Sequence, residues 1–526
     1  MELQHLNEFE QAVAGGRGEL VRFGVSFLFL VGVMFYVASQ GAGEGSVVLV
    51  MAAIVATYMA MNIGANDVAN NVGPAVGAGA FSLVIALLIA AVFDIAGALV
   101  AGERVIERMR SGIIHPGMFA DPQLIVWVML AALLAGAVWI NIASALGAPV
   151  STTHAIVGAI MGSGVAARGI EVVNWPVMGG IVASWVVSPL LGGVLAAMFL
   201  YFIKRSITYR VDMAAAARRA VPVLMAVMAW IFTTFLLVEG LGRWRIVSGA
   251  IALGCGFAAG LLTFFTVRAR VAGPGRFIPN TKSGVNRLFT VPLMFAAAVM
   301  SFAHGSNDVA NAVGPLAAIV HVVTQAGGSM QGANVAAWAM LVGALGIGVG
   351  LALFGPRVIR TIGSELTELD NMRAFSVVMA SALTVIVASV LGLPVSSTHV
   401  VVGSVLGVGF LREYLKSSRE RMVEEIKAHH PQHDQPAIDD FMRRFEVASV
   451  DDKGALLKEL KQRAKRGEDP ARFAKWERKA LRRAYQHELV RRSQLRRILA
   501  AWLITVPASA LMAAGLFHAI AGVLAR

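Results

Sequence analysis

Charge is scarce in this chain: of 526 residues only 15% are Asp, Glu, Lys or Arg, where soluble domains carry about 25%. That shortage excludes a solvated surface over most of the length. Cysteine is scarcer still, and a lone Cys255 rules out an intrachain disulfide and a cysteine metal centre. Its place in an apolar run reads as a small core residue. A glycine-rich linker is also missing. The 54 glycines are scattered through apolar stretches, where small residues let membrane helices approach closely. No short leader with a small-residue cleavage site is evident, and the first apolar run, near 21–38, is long enough to remain a span.

What the chain has in quantity is apolar sequence: 57% of residues are hydrophobic and the mean hydropathy is +0.69. Crossing a hydrocarbon core takes roughly 20 apolar residues per helix. Runs suited to this lie near 21–38, 46–63, 81–101, 124–147, 150–167, 175–203, 221–239, 246–267, 288–303, 335–355, 374–391, 395–411 and 498–524. Two of them, 150–167 and 395–411, are short, follow a proline and carry Ser and Thr, which suggests re-entrant or half-length helices. The expectation is an all-α, polytopic transmembrane bundle of about 12 spans, placed in a bacterial inner membrane.

The net charge of +13 does not point to nucleic acid, because of where it sits. Residues 412–497 hold 23 Lys and Arg against 15 Asp and Glu, a basic, helix-forming insert that the positive-inside rule places in the cytoplasm. Basic loops at 204–219 and 268–287 fall on the same face by parity.

A duplicated pair of polar motifs organises the remainder. Gly64-Ala65-Asn66-Asp67-Val68-Ala69-Asn70-Asn71-Val72-Gly73-Pro74 returns 241 positions later as Gly305-Ser306-Asn307-Asp308-Val309-Ala310-Asn311-Ala312-Val313-Gly314-Pro315. Pro149-Val150-Ser151-Thr152-Thr153-His154 returns 245 positions later as Pro394-Val395-Ser396-Ser397-Thr398-His399. Two motifs kept in order and spacing imply a duplicated transport unit. The expected divisions are a first span in 1–45, repeat 1 in 46–203, connecting spans in 204–287, repeat 2 in 288–411, the insert in 412–497 and a last span in 498–526.

An ionised Asp inside a membrane costs about 2.5 to 3.5 kcal/mol on insertion scales, so Asp67 and Asp308 are expected to face a polar cavity or a partner. Asn66 and Asn70, like Asn307 and Asn311, fall one helical turn apart on one face. The Gly-Pro that follows is expected to block regular helix and free carbonyls nearby. Carboxylate, amide and carbonyl oxygens together suit a hard cation. An Asx cap would account for one copy and leave the repetition unexplained.

The second motif reads as a helix start whose hydroxyls and free amides suit a tetrahedral oxyanion. Its candidate ligands are Ser151, Thr152, Thr153, Ser396, Ser397 and Thr398, with Asp67 and Asp308 beside them. Membrane helix caps are the plainer role for such hydroxyls. Neither motif contains Lys or Arg, so an anion there needs accompanying positive charge. Co-transported sodium, bound by the Asn-Asp segments, supplies it; protonation of the aspartates is the other route. Asp94, His154 and His399 are candidates for coupling. Glu239 marks a span end, and Arg104 and Arg357, each followed by Val-Ile, read as interfacial side chains.

At these motifs the sequence resembles the inorganic phosphate transporter (PiT) family of sodium- or proton-coupled phosphate symporters. The resemblance covers roughly residues 46–411 and the last span. It implies two inverted-topology repeats, phosphate bound between them near the midplane, cations beside it and a homodimer, with no cofactor. Asp94 stands where animal members carry a Glu. Met379 stands where they carry a second one. The chemistry of the motifs alone leaves sulfate open as the substrate, and more remotely a receptor or scaffold signalling through the insert; an enzyme is disfavoured because no acid accompanies the hydroxyls and His within either motif.

Overall fold

A computed structural model describes residues 2–40, 46–146, 150–241, 247–272, 278–324, 335–362, 369–428, 440–441, 443–444 and 492–524. Most of the 412–497 insert lies outside them, including the helices expected over 453–466 and for most of 473–497. The described residues form helices α1 (Glu2–Ser39), α2 (Ser46–Gly77), α3 (Leu83–Ala101), α4 (Glu103–Ser111), α5 (Gln123–Ala145), α6 (Thr152–Arg168), α7 (Trp175–Ile203) and α8 (Met213–Leu236). They continue as α9 (Gly249–Ala272), α10 (Lys282–Leu288), α11 (Thr290–Asp308), α12 (Ala310–Thr324), α13 (Ala337–Ile362), α14 (Asn371–Val390), α15 (Ser397–Ala428) and α16 (Arg492–Leu524). Among the described residues there is no named strand, only an isolated bridge between Ile114 and Val173.

Each of the apolar runs read from the sequence is helical. Ten helices are long and apolar enough to cross a membrane, and a pair bent by 41° after Leu288 brings the number to 11. The two short runs account for the difference from a larger count. They form α6 and the first part of α15, and each folds back on the helix before it, α5 and α14. Lipid-facing surfaces are apolar: Leu88 and Val92 on α3, Val186 and Leu190 on α7 and Phe265 on α9 are all exposed. Cys255 on α9 is exposed as well, contrary to the core position expected of it. An apolar run cannot by itself separate residues that touch lipid from residues that touch protein.

The two copies pack across each other rather than side by side. α2 lies against α13 and α3 against α11, while α6 pairs with α16 and α7 with α15. Glycines make these crossings close. A Cβ on Gly64 would lie 2.8 Å from the carbonyl carbon of Ile347, and one on Gly305 would lie 2.7 Å from that of Asp94. The same match holds one crossing further along, for Gly350 at Met61 (2.6 Å) and Gly97 at Phe302 (2.8 Å). Gly64 and Gly305 are equivalent motif positions, so the contacts show that Ile347 and Asp94 occupy equivalent places too.

The Gly-Pro pairs do not interrupt the helices as expected. α2 runs through Pro74 to Gly77, and α12 through Pro315 to Thr324. The break in the second copy is a single turn residue, Val309, directly after Asp308. Proline still withholds one amide, and in a helix the acceptor it leaves is four residues back. Those acceptors are the carbonyls of Asn70 and Asn311.

Candidate functional site

Helix termini bring the two hydroxyl motifs together. Ser151 adopts extended backbone and its Oγ accepts from the His154 amide at 3.1 Å, capping α6. Ser396 caps α15 in the same way, accepting from the His399 amide at 3.2 Å. The first amides of each helix have no intrahelical acceptor and carry the positive end of the helix dipole. Both starts lie in the protein interior: Ser151, Thr152, Thr153, Ser396, Ser397 and Thr398 are all buried. They touch, since Thr153 Oγ1 donates to the Val395 carbonyl at 3.0 Å.

The Asn-Asp helices lock this arrangement. Asn66 donates to the Val150 carbonyl at 3.1 Å. Its counterpart Asn307 donates to the Leu393 carbonyl at 3.0 Å and accepts from the Val395 amide at 3.2 Å. Each first asparagine therefore holds the segment leading into the hydroxyl helix of its own copy. The second asparagines reach across. Asn70 donates to Thr398 Oγ1 at 2.8 Å, and Asn311 to Thr153 Oγ1 at 3.1 Å and Thr152 Oγ1 at 3.4 Å.

The carboxylates complete the site. Asp67 Oδ1 accepts from Asn66 (2.8 Å), Asn70 (3.3 Å) and Thr398 Oγ1 (3.3 Å), and its Oδ2 accepts from Thr152 Oγ1 (2.8 Å). Asp308 Oδ2 accepts from Ser397 Oγ at 3.2 Å, while its Oδ1 is buried without a partner. The expected separation into a cation motif and an anion motif is thus closer to an interleaving. Hydroxyls from one motif are the donors to carboxylates of the other.

One central residue escaped the sequence reading. His304 is fully buried, with Nδ1 2.9 Å from Asp94 Oδ1 and Nε2 3.3 Å from Asp308 Oδ2 and 3.8 Å from Asp67 Oδ2. Asp94 is held further by Asn71, whose amide nitrogen is 3.2 Å from both carboxylate oxygens. A signal existed in the sequence: a lone imidazole one helical turn before Asp308, on the same helix face. It was obscured because position 63, its equivalent in the first copy, is Ile.

His154 and His399 are buried behind the hydroxyl helices instead. Their rings meet edge to face at 4.3 Å and lie between Trp185 and Trp502, at 3.8 and 3.5 Å. Neither makes an ion pair with a carboxylate among the described residues. Met379 is buried in the apolar core of α14. Arg104 is half exposed and bonds to Glu239 at 3.3 Å and to the Val390 carbonyl at 2.9 Å, so it ties the segment just after α8 to the end of α14 rather than only trailing into an interface. The side chain of Arg357 lies outside the described residues.

Comparison with known proteins gives the family. Residues 63–513 match the Phosphate transporter family. A Helicobacter pylori (strain J99) protein named as a phosphate permease is 45% identical, with 99% of each chain covered. A Chlamydia trachomatis protein of the same name is 42% identical over 72% of this chain and 93% of its own. A solved structure titled "The sodium-dependent phosphate transporter" superposes with a TM-score of 0.72 at 30% identity, covering 90% of this chain and 99% of that one. The bacterial relatives fit an inner membrane. With its spans, its duplicated polar core and a match over most of its length, this chain is a multi-pass membrane protein that belongs to the phosphate transporter family.

Proposed function

We propose that the protein is a sodium-coupled phosphate symporter working by alternating access between two inverted repeats, and that it assembles as a homodimer. The observation that carries this reading is the interleaving of hydroxyls and carboxylates. Thr152 and Thr398 donate to Asp67, and Ser397 donates to Asp308. A phosphate that takes these hydroxyls and the adjacent helix amides strips donors from both aspartates. Uncompensated carboxylates beside a bound anion are electrostatically untenable in a buried site. A cation entering with the phosphate restores balance, and carboxylate and amide oxygens suit sodium. The crossed packing of α2 with α13 and α3 with α11 supports a site between the repeats, where inverted-repeat transporters bind substrate.

Phosphate contacts are assigned to Thr152, Thr153, Ser397 and Thr398 and to the amides they start. Ser151 and Ser396 offer only their hydroxyl protons, since their oxygens accept from the cap amides. Asn70, Asn311, Asp67 and Asp308 are assigned to cations, with Asn66 and Asn307 holding the hydroxyl segments in place. Asp94 acts through His304. The ring pair His154–His399 backs both helix starts and contributes rigidity.

The test is uptake of radiolabelled phosphate into proteoliposomes, competed with sulfate and run with sodium or potassium outside. Uptake that needs sodium and resists excess sulfate is expected, because phosphate retains a proton that can donate to Asp67 or Asp308 and sulfate does not. Equal uptake in potassium would remove sodium from the reading.

A further inference from the structure

The end of α14 is held from two directions. On the side of the polar core, Asn307 reaches Ser389 Oγ at 3.2 Å, the Leu393 carbonyl at 3.0 Å and the Val395 amide at 3.2 Å. This is the stretch that leads into the hydroxyls of Ser396, Ser397 and Thr398. From the other direction Arg104 donates through Nη1 to the Val390 carbonyl at 2.9 Å. Its Nε lies 3.3 Å from Oε2 of Glu239, in the turn after α8 (Leu237–Leu241).

A helix leaves its last four carbonyls without intrahelical partners. In α14 the turn itself satisfies three of them: Val387 accepts from the Leu391 amide at 3.2 Å, Ala388 from Leu393 at 2.9 Å and Ser389 from Gly392 at 2.9 Å. That closure uses the left-handed φ of +64° at Gly392. Val390 is the carbonyl left over, and Arg104 takes it. The tip of the α14–α15 hairpin is therefore a finished turn, joined to Arg104 by one hydrogen bond that can part without unravelling it.

The two bonds of Arg104 are unequal. The Glu239 side chain is 4% exposed, and its Oε1 is buried with no partner among the described residues. Taking the guanidinium away would strand a buried carboxylate, which is costly. The Arg104 side chain is 52% exposed, so water can replace it at Val390. When the contact parts, Arg104 stays with Glu239 and the hairpin leaves. With the basic loops 204–219 and 268–287 in the cytoplasm, this end of the bundle faces outward. α8 starts in the first loop and runs 24 residues, about 36 Å, before Glu239. α14 starts beside the second, where Asn371 donates to the Asn286 carbonyl at 3.3 Å, and Val390 is its far end.

We propose that Arg104 and Glu239 form an outer latch on the α14–α15 hairpin: engaged at Val390, the pair holds the second hydroxyl segment closed to the outside, and release of that one bond opens it. Arg104 is a positioning residue in this scheme, acting on phosphate through the segment it fastens. The inference rests on the alternating-access reading above and adds which contact breaks when the site opens outward.

Sided thiol labelling of the full-length protein tests it. Cys255→Ser removes the lone thiol, and Val395→Cys, at a position 1% exposed, reports opening to a membrane-impermeant maleimide in spheroplasts and in inverted membrane vesicles. Arg104→Ala should speed labelling from outside about fivefold, the worth of one partly exposed charge-assisted hydrogen bond, with labelling from inside not increased. In proteoliposomes the same substitution, without the reporter, should lower the external KM for phosphate, because more of the protein stands open outward. It should also lower kcat, because the outer side closes less readily. Arg104→Lys keeps a charge beside Glu239 but has one nitrogen for two acceptors, and should fall between wild type and Arg104→Ala. Unchanged outside labelling in both folded variants, or faster labelling from both faces with a raised KM, would overturn the latch. A wild type that takes up no phosphate with any cation would overturn the transport reading instead, while the labelling still decides the latch.

Discussion

Asp67→Asn and Asp308→Asn should each abolish sodium-driven phosphate uptake while the protein still reaches the membrane. The amide keeps the shape of the carboxylate and part of its accepting capacity, so the Thr152, Thr398 and Ser397 contacts can re-form around it. What it cannot keep is the negative charge that calls in a cation beside the anion. Losing a charge-assisted contact on each transported ion is worth about 1.5 to 3 kcal/mol, or at least a tenfold loss per contact, and the loss falls on every turnover. Uptake assays on purified protein in proteoliposomes, with thermal stability as the folding control, give the comparison. Near-normal sodium-dependent uptake in either variant would remove that aspartate from the cation site.

The second large effect is expected at a residue with no side chain to offer a ligand. Gly305→Ala places a Cβ 2.7 Å from the carbonyl carbon of Asp94 and 2.9 Å from its Cα, where the contacts are backbone and cannot rotate away. Helices α3 and α11 must separate by a sizeable fraction of an ångström. Overpacking of this kind costs about 1 to 3 kcal/mol or more, and in this place it also stretches the 2.9 Å contact between His304 and Asp94. Uptake should fall about fivefold or more by that cost, together with a lower melting temperature in detergent. Gly515→Ala on α16 is the control, since nothing lies within 4 Å of the added methyl. Equal behaviour of the two variants would show that the α3–α11 crossing tolerates displacement.

Much of this arrangement is legible from residues alone, and the exceptions have physical causes. Repetition of Asn-Asp and Pro-Val-Ser segments locates the polar core because polar residues inside a membrane are retained for binding. The apolar runs give every spanning helix. Repetition is also what conceals the asymmetry: a reading that looks for matched residues passes over His304, whose counterpart is Ile63, and Asn71, whose counterpart is Ala312. Pro74 and Pro315 read as helix breaks, yet both helices continue because one missing amide is a local loss when neighbouring helices satisfy the backbone. Apolar pattern assigns Cys255 to the core, and only packing places it at the lipid surface. The crossed pairing of α2 with α13 and α3 with α11 has no signature in either segment, since it depends on which glycines meet which carbonyls.

The central claim is that phosphate and sodium move together through a site shared by both copies. Proteoliposomes loaded with phosphate at the outside concentration, given an inward sodium gradient and no other driving force, test it most directly. Phosphate should accumulate inside above its external concentration, and the excess should collapse when an ionophore dissipates the sodium gradient. Phosphate that only exchanges at equal concentration, with the sodium gradient intact, would contradict the account.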